Sequence, residues 1–480
     1  MSASGRIWRR VVMRFDRVLL RTLIEETRDG DWGPQHEAPG SVPCRVIRGG
    51  DFPDVENGAV SGVPLCYLKP SSIARRTLQP NDIVIETAGG ARERPTGRVL
   101  LISADLLEEF EYPATCASFA RFIRIDSRKV NPKYVFWYLR WMYNAGMMWE
   151  HQVQHTGVAR FQFTKFADTV EIALPSREHQ DSAVDILDSL HHSLLQNRRF
   201  NKTLEDIAQT IFRAWFVDFL PVRAKMVARS EGRDVVRAAM CVLSSKAEDE
   251  LDEMPKERYE KLAELAQLFP EALDDSEIGK IPRTWQVEAL QTVTASLARG
   301  ISPKYTDKAG ILVINQRCIR DNVLDLSKAR RHDSNVRGIR GRELCVGDVL
   351  VNSTGVGTLG RVAQVFHLDE PTIVDSHVTV VRSGPSITWN FLGLELARRQ
   401  SEIEQLGEGS TGQTELNRSK LAGLLTIVPP CEVLGHFDAL TTPLRERISL
   451  GLRQNETLSE LRDSVLPKLI SGEIPLRHPI

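Results

Sequence analysis

The chain has 480 residues, 62 Lys and Arg against 63 Asp and Glu, a formal net charge of −1 and 42% hydrophobic residues. That length is too great for one core and predicts two to four domains, and the balanced charge excludes a chain that is a polycation throughout. No run approaches the roughly eighteen apolar residues of a membrane span; the seven scattered cysteines lack a C-x-x-C pair, which argues against a disulfide framework or structural zinc and fits a reducing cytoplasm.

The start, "MSASGRIWRRVVMRFDRVLLR", is basic without an apolar core and reads as a strand or helix of the first domain rather than a secretory signal. Strand-like runs such as "DIVIE", "RFIRI" and "TVEIALP" then alternate with turn residues, and "NPKYVFWYLRWMYNAGMMWE" reads as a helix. Residues 178–217 predict about forty helical residues, roughly 60 Å at 1.5 Å per residue. Leu204, Ile207, Ile211 and Trp215 form one apolar stripe of this helix, and Ala208, Phe212, Phe216 and Phe219 a second. A surface helix buries a single stripe. One stripe is therefore assigned to a partner helix within the chain. The aromatic end, Trp215, Phe216 and Phe219, is assigned to an exposed patch that binds another protein; the bland alternative is cover by the adjoining domain.

An acidic, partly helical stretch follows: residues 247–277 hold twelve Asp and Glu against three Lys and Arg. The second half then repeats the first. "TGVARFQFTKFADTVEIALP" (156–175) aligns without gaps on "TGQTELNRSKLAGLLTIVPP" (411–430), keeping Lys165 as Lys420. "LQPNDIVIETAGG" (78–90) echoes "LCVGDVLVNSTGV" (344–356), and "RRFNKTLEDIAQTIFRAWF" (198–216) matches "LRQNETLSELRDSVLPKLI" (452–470). Three segments recurring in order at a period near 260 residues indicate a duplicated domain-plus-helix unit rather than a solenoid. The second helix is expected over 433–471, with Pro467 ending or kinking its last turn. Its terminal Leu469 and Ile470 are assigned to a second, related partner surface. The expected divisions are 1–176, a helix 177–219, a connector 220–278, a second domain 279–430 and a final helix 431–480.

Enzyme motifs are weak. "GVGTLG" (355–360) is followed by the strand-like "RVAQVFHL", so it reads as a turn between strands rather than a dinucleotide site. "NPKY" (131–134) resembles the N-P-P-Y signature of adenine methyltransferases, but Lys133 replaces a proline; a helix start with Asn131 as cap explains it better. His151 and His155 have metal-compatible spacing but no supporting cluster, and His191-His192 reads as solvated or interfacial. There is no nucleophile elbow, P-loop or H-E-x-x-H.

Basic residues carry more. Arg75, Arg76, Arg92, Arg94 and Arg98 bracket one repeated strand. Residues 315–345 hold eight Lys and Arg against four Asp and Glu. Lys304, Arg317, Arg320, Lys328 and Arg361 crowd the second unit, beside Asn315-Gln316, whose amides can read adenine. Arg75, Arg92, Arg94, Arg98, Lys165, Lys304, Gln316, Arg317, Arg320, Lys328, Arg361 and Lys420 are the expected DNA-binding residues, Arg and Lys neutralising phosphates or pairing with guanine.

"LEDIAQTIFRAWFVDFLPVRAKM", "AQLFPEALDDSEIGKIPRTW", "RGISPKY", "VINQRCIRD" and "SVLPKLISGEI" resemble the DNA-specificity subunit of type I restriction–modification systems, over nearly the whole chain. The first domain matches in layout only, and its "GRIWRRV" departs from the "IGKIPRTW" that opens the second. The resemblance implies an α+β protein: two mixed α/β target-recognition domains separated by an antiparallel pair of long helices. It implies a bipartite site in double-stranded DNA. Implied partners are two methyltransferase (modification) subunits and restriction/translocase subunits, with no membrane. It implies no catalytic residue, no metal and no cofactor in this chain, since S-adenosylmethionine, ATP and Mg serve the partner subunits. The competing readings are a stand-alone methyltransferase or nuclease, and a scaffold that no longer binds DNA.

Overall fold

A computed structural model describes residues 15–89, 94–155, 158–355, 357–408 and 414–474, with His155 and Val158 described by backbone alone. The chain divides into two compact units: Met1–Arg199 with Leu452–Ile480, and Phe200–Gly451. The unit boundaries fall inside the two long helices, Arg177–Phe216 and Cys431–Ile470. Pro467 does not stop the second helix, which runs three residues further. None of the described helices is long and apolar enough to cross a membrane.

In the first unit an antiparallel sheet has the order Ile24–Asp29, Ala120–Ile125, Ile83–Glu86, Val99–Leu101. In the second the order is Thr294–Arg299, Val378–Ser383, Val349–Asn352, Val362–Gln364. Each has a register shift at the same place, between Ile24 and Glu26 and between Thr294 and Ser296. Each unit adds a parallel pair, Val42–Ile47 with Ala114–Cys116 and Ile311–Ile314 with Thr372–Val374. Each also closes its ends with one antiparallel ladder, Asp16–Leu19 with Glu171–Leu174 and Gln286–Ala289 with Leu425–Val428. The duplication read in the sequence is thus a duplication of topology.

The repeated Asp has a structural role in both copies. Asp82 is 1% exposed and accepts two hydrogen bonds from Arg124, at 2.9 and 2.8 Å, and one from the Gln79 amide at 2.7 Å. Asp348 is likewise buried and accepts from Arg382, at 2.6 and 2.7 Å, and from the Cys345 amide at 2.8 Å. One carboxylate thereby closes a turn and fastens it to the neighbouring strand.

Within each unit the long helices pair antiparallel. In the first, the His179 ring approaches the Leu469 carbonyl at 3.2 Å and Asn197 donates to Gln454 at 3.4 Å. In the second, Asn201 donates to the Ile448 carbonyl at 3.4 Å and Arg445 pairs with Glu205. A domain helix docks on each pair through a buried polar contact. Asn131 caps the helix Pro132–Asn144, accepting from the Lys133 amide at 2.9 Å, and Trp137 donates to Asp188 of the long helix at 2.8 Å. The "NPKY" segment is therefore a helix start. In the second unit Asn390 of Trp389–Arg398 donates to Asp438 at 3.1 Å.

The partner-binding assignments require correction. Trp215, Phe216 and Phe219 are 3%, 3% and 7% exposed, inside the main core of the second unit. Trp215 meets Phe269 edge-on at 5.5 Å; Phe216 meets Phe437 at 5.0 Å and Phe391 at 5.1 Å; Phe219 meets Trp285 at 5.8 Å. The connector, the second domain and the C-terminal helix cover them. Phe219 adopts φ +51°, so the chain reverses there and brings the connector helix Leu220–Ser230 back onto the aromatics. Leu469 and Ile470, each 1% exposed, belong to the core of the first unit. The expected packing stripe is also displaced: Leu204, Ala208 and Phe212 are buried but Ile207 is 43% exposed. The helix is apolar on two faces because two layers of its own unit cover it.

Of its two expected placements, solvated or interfacial, His191 takes the interfacial one, between the long helix and the first domain. It packs edge-on to Trp137 at 5.7 Å and lies 3.5 Å from Glu56, and burial pulls its pKa down to about 4. His151 packs edge-on to Phe166 at 4.9 Å, and burial lowers its pKa. All seven cysteines are free, and burial pushes the Cys44 and Cys116 thiols up to about 12.

Candidate nucleic-acid interface

At one end of each four-stranded sheet, polar side chains of neighbouring strands meet. In the first unit that end is formed by Asp29, Arg121 and Glu86 with the loop that follows it. Arg121 donates to both Asp29 oxygens, at 2.9 and 2.7 Å, and lies over the Phe163 ring at 4.9 Å. An open pocket beside this pair is lined by Thr87, Gln162, Thr164 and Lys165 among others, with Lys165 exposed on the short helix Phe163–Thr169. Glu86 is 3% exposed, with Arg98 at 3.5 Å and Arg94 at 3.7 Å; among the described residues its Oε2 has no hydrogen-bond partner. Arg98 also donates to the Gly49 carbonyl and stacks on Phe52 at 5.2 Å, and burial lowers its pKa. It is a structural prop, whereas Arg94 is exposed.

The second unit builds the same end from different groups. Asn352 stands where the first unit has Glu86: it is fully buried, donates to the Gln316 carbonyl at 3.0 Å, and its Oδ1 has no partner among the described residues. Arg299 and Thr379 stand where Asp29 and Arg121 face each other. Arg299 pairs with Glu415 and donates to the Leu416 carbonyl at 3.0 Å. Asn315 caps the turn Gln316–Cys318 through the Arg317 amide at 2.9 Å and holds the Lys328 carbonyl at 2.8 Å, so Gln316, Arg317 and Lys328 share one scaffold. "GVGTLG" is a turn between two strands, with Gly355, Gly357 and Gly360 at positive φ; Arg361 donates back to the Gly357 carbonyl at 2.7 Å. Lys420, the repeat of Lys165, is exposed and pairs with Glu408 at 2.6 Å.

No family model matches the chain. Among characterised proteins it is similar to the type I restriction enzyme HindI specificity subunit of Haemophilus influenzae, 28% identical over 329 residues, covering 64% of this chain and 69% of the other. It is similar also to the MjaIX specificity subunit of Methanocaldococcus jannaschii, 24% identical over 346 residues, covering 70% of this chain and 68% of that one. The fold is shared with the crystal structure of a type I restriction–modification S subunit from M. genitalium, with TM-score 0.50, 11% identity and 97% of both chains covered. The characterised relatives are thus specificity subunits of type I restriction enzymes, and the solved structure that shares the fold is an S subunit of such a system.

Of the residues singled out in the sequence, Arg92 lies outside the described residues. Arg75 is exposed on the helix Pro70–Arg76 and donates to the Ser71 carbonyl at 2.9 Å, with no contact to the loop cluster among the described residues. Lys304 and Arg320 are exposed; the Lys304 amide donates to His332 at 2.9 Å, and Arg320 pairs with its neighbour Asp321 at 3.2 Å. Sequence reasoning missed Asp29, Arg121, Arg299 and the turns ending at Phe119 and His377. Their juxtaposition depends on strand register, although extending the repeat alignment would have paired them.

Proposed function

We propose that the two units each read one half of a bipartite site in double-stranded DNA. The observation that carries this reading is a frame repeated strand for strand whose sheet ends hold different polar groups: Asp29–Arg121 with Glu86 in one unit, Arg299–Thr379 with Asn352 in the other. Identical frames with non-identical reading groups suit two different half-sequences. In this reading the paired helices are the spacer whose length sets the number of unread base pairs. The chain assembles with two modification subunits and with restriction subunits. Those partners use S-adenosylmethionine, ATP and Mg, and this chain binds none of the three.

Lys165 and Lys420 serve as phosphate contacts, since each is an exposed ammonium on the first turn of a short helix beside the loop cluster. In the assembled complex, Lys165→Ala and Lys420→Ala should each weaken binding to all sequences alike and reduce the slope of log affinity against log salt by about one. Fluorescence binding titrations at four salt concentrations measure it. Unchanged slopes in both variants would remove this face from the DNA.

A further inference from the structure

Phe119 sits in the turn between the parallel strand Ala114–Cys116 and the sheet strand Ala120–Ile125, with 66% of its surface exposed. Packing does not hold its ring, yet the backbone beneath is tightly built. The Phe119 carbonyl accepts from the Thr87 amide at 2.8 Å and the Ala88 amide at 3.2 Å. Gly30 passes so close behind the turn that a Cβ there would lie 2.0 Å from the Cys116 oxygen and 2.4 Å from the Ala117 oxygen.

The second unit repeats this construction. The His377 carbonyl accepts from the Ser353 amide at 2.8 Å, as Phe119 does from Thr87. A Cβ on Gly300 would lie 2.2 Å from the Val374 oxygen and 2.3 Å from the Asp375 oxygen. His377 is exposed, and its Nδ1 lies 2.7 Å from the Thr354 hydroxyl, which fixes the ring and leaves Nε2 as its other hydrogen-bonding atom. The presenting backbone is thus the same and the presented side chain differs. Thr87, bonded to the first turn, lines a pocket with the Asp29–Arg121 ion pair and the exposed Lys165, so Phe119 stands beside a polar surface. An exposed apolar ring on such a surface matches a nucleic-acid base better than an apolar protein partner.

We propose that Phe119 and His377 are specificity-determining residues, each meeting a base edge in the major groove of its own half-site. Phe119 makes apolar contact with a thymine methyl group, and His377 hydrogen-bonds a base edge through its free ring nitrogen. This rests on the reading of the units as half-site readers.

The test uses the full chain assembled with its modification subunits and a pool of DNA fragments with both halves randomised, from which bound sequences are selected. Wild type should return a two-part motif with thymine at one position of the first unit's half. Phe119→His should change the preference at that position by about tenfold and leave the other half intact; His377→Phe should do the converse. Phe119→Leu, which keeps an apolar group, should retain the thymine. Both side chains are exposed, and thermal unfolding should match wild type. A wild-type two-part motif that survives both exchanges, or a single exchange that alters both halves, overturns the proposal. A wild-type complex that returns no two-part motif overturns the half-site reading itself.

Discussion

Trp215→Ala should destabilise the second unit by about 3–5 kcal/mol, the cost of a large cavity in an aromatic core. The indole is 3% exposed and contacts Phe216, Phe269 and Phe437, which come from its own helix, the connector and the C-terminal helix. Its loss unties all three at one point. Denaturant unfolding followed by fluorescence measures the change. Because two units can unfold separately, the transition of the second is expected to move while that of the first stays. Any loss of complex assembly in this variant would be secondary to unfolding. A stability change under 1 kcal/mol with assembly abolished would instead restore Trp215 to an exposed partner surface.

Asp348→Ala should cost the same unit about 2–4 kcal/mol, since it removes two charge-assisted bonds from Arg382 and orphans the Cys345 amide. Arg382 is 37% exposed at its side chain and can turn towards water, which keeps the figure below that of a fully buried pair. Asp82→Ala should weaken the first unit in parallel, and Asp348→Asn, which keeps an acceptor for the amide, should cost less than Asp348→Ala. Thermal unfolding of the three variants compares them. Equal, near-zero shifts would mean that the repeated Asp is not a fastening of the turn.

Much of the fold was legible in the sequence, because the signals were local. The two long helices followed from periodicity and fall at Arg177–Phe216 and Cys431–Ile470, close to 178–217 and 433–471. The repeat predicted equivalent strands, and the repeated Asp82 and Asp348 occupy equivalent structural positions. What could not be read was which apolar surface faces solvent. The stripe ending at Trp215 and Phe219 has the composition of an exposed anchor, and only the reversal at Phe219 and the arrival of Phe269, Trp285, Phe391 and Phe437 show it to be core. The loop cluster was partly legible: Gln316, Arg317, Lys328 and Arg361 were expected from composition. Arg98 looked like a DNA contact but props Glu86 and Gly49 from within. The exposed Phe119 and His377 carry no composition signal, since a single Phe or His is unremarkable until its backbone partners are known.

The half-site reading is tested most directly by exchanging the first unit's domain, residues 16–174, for the corresponding domain of a specificity subunit, with both long helices kept. Methylated adenines are then mapped in cells that carry the complex. The expected result is a new sequence in one half of the motif, with the other half and the gap unchanged. A motif altered in both halves, or in neither, would contradict the assignment of one half-site to each unit.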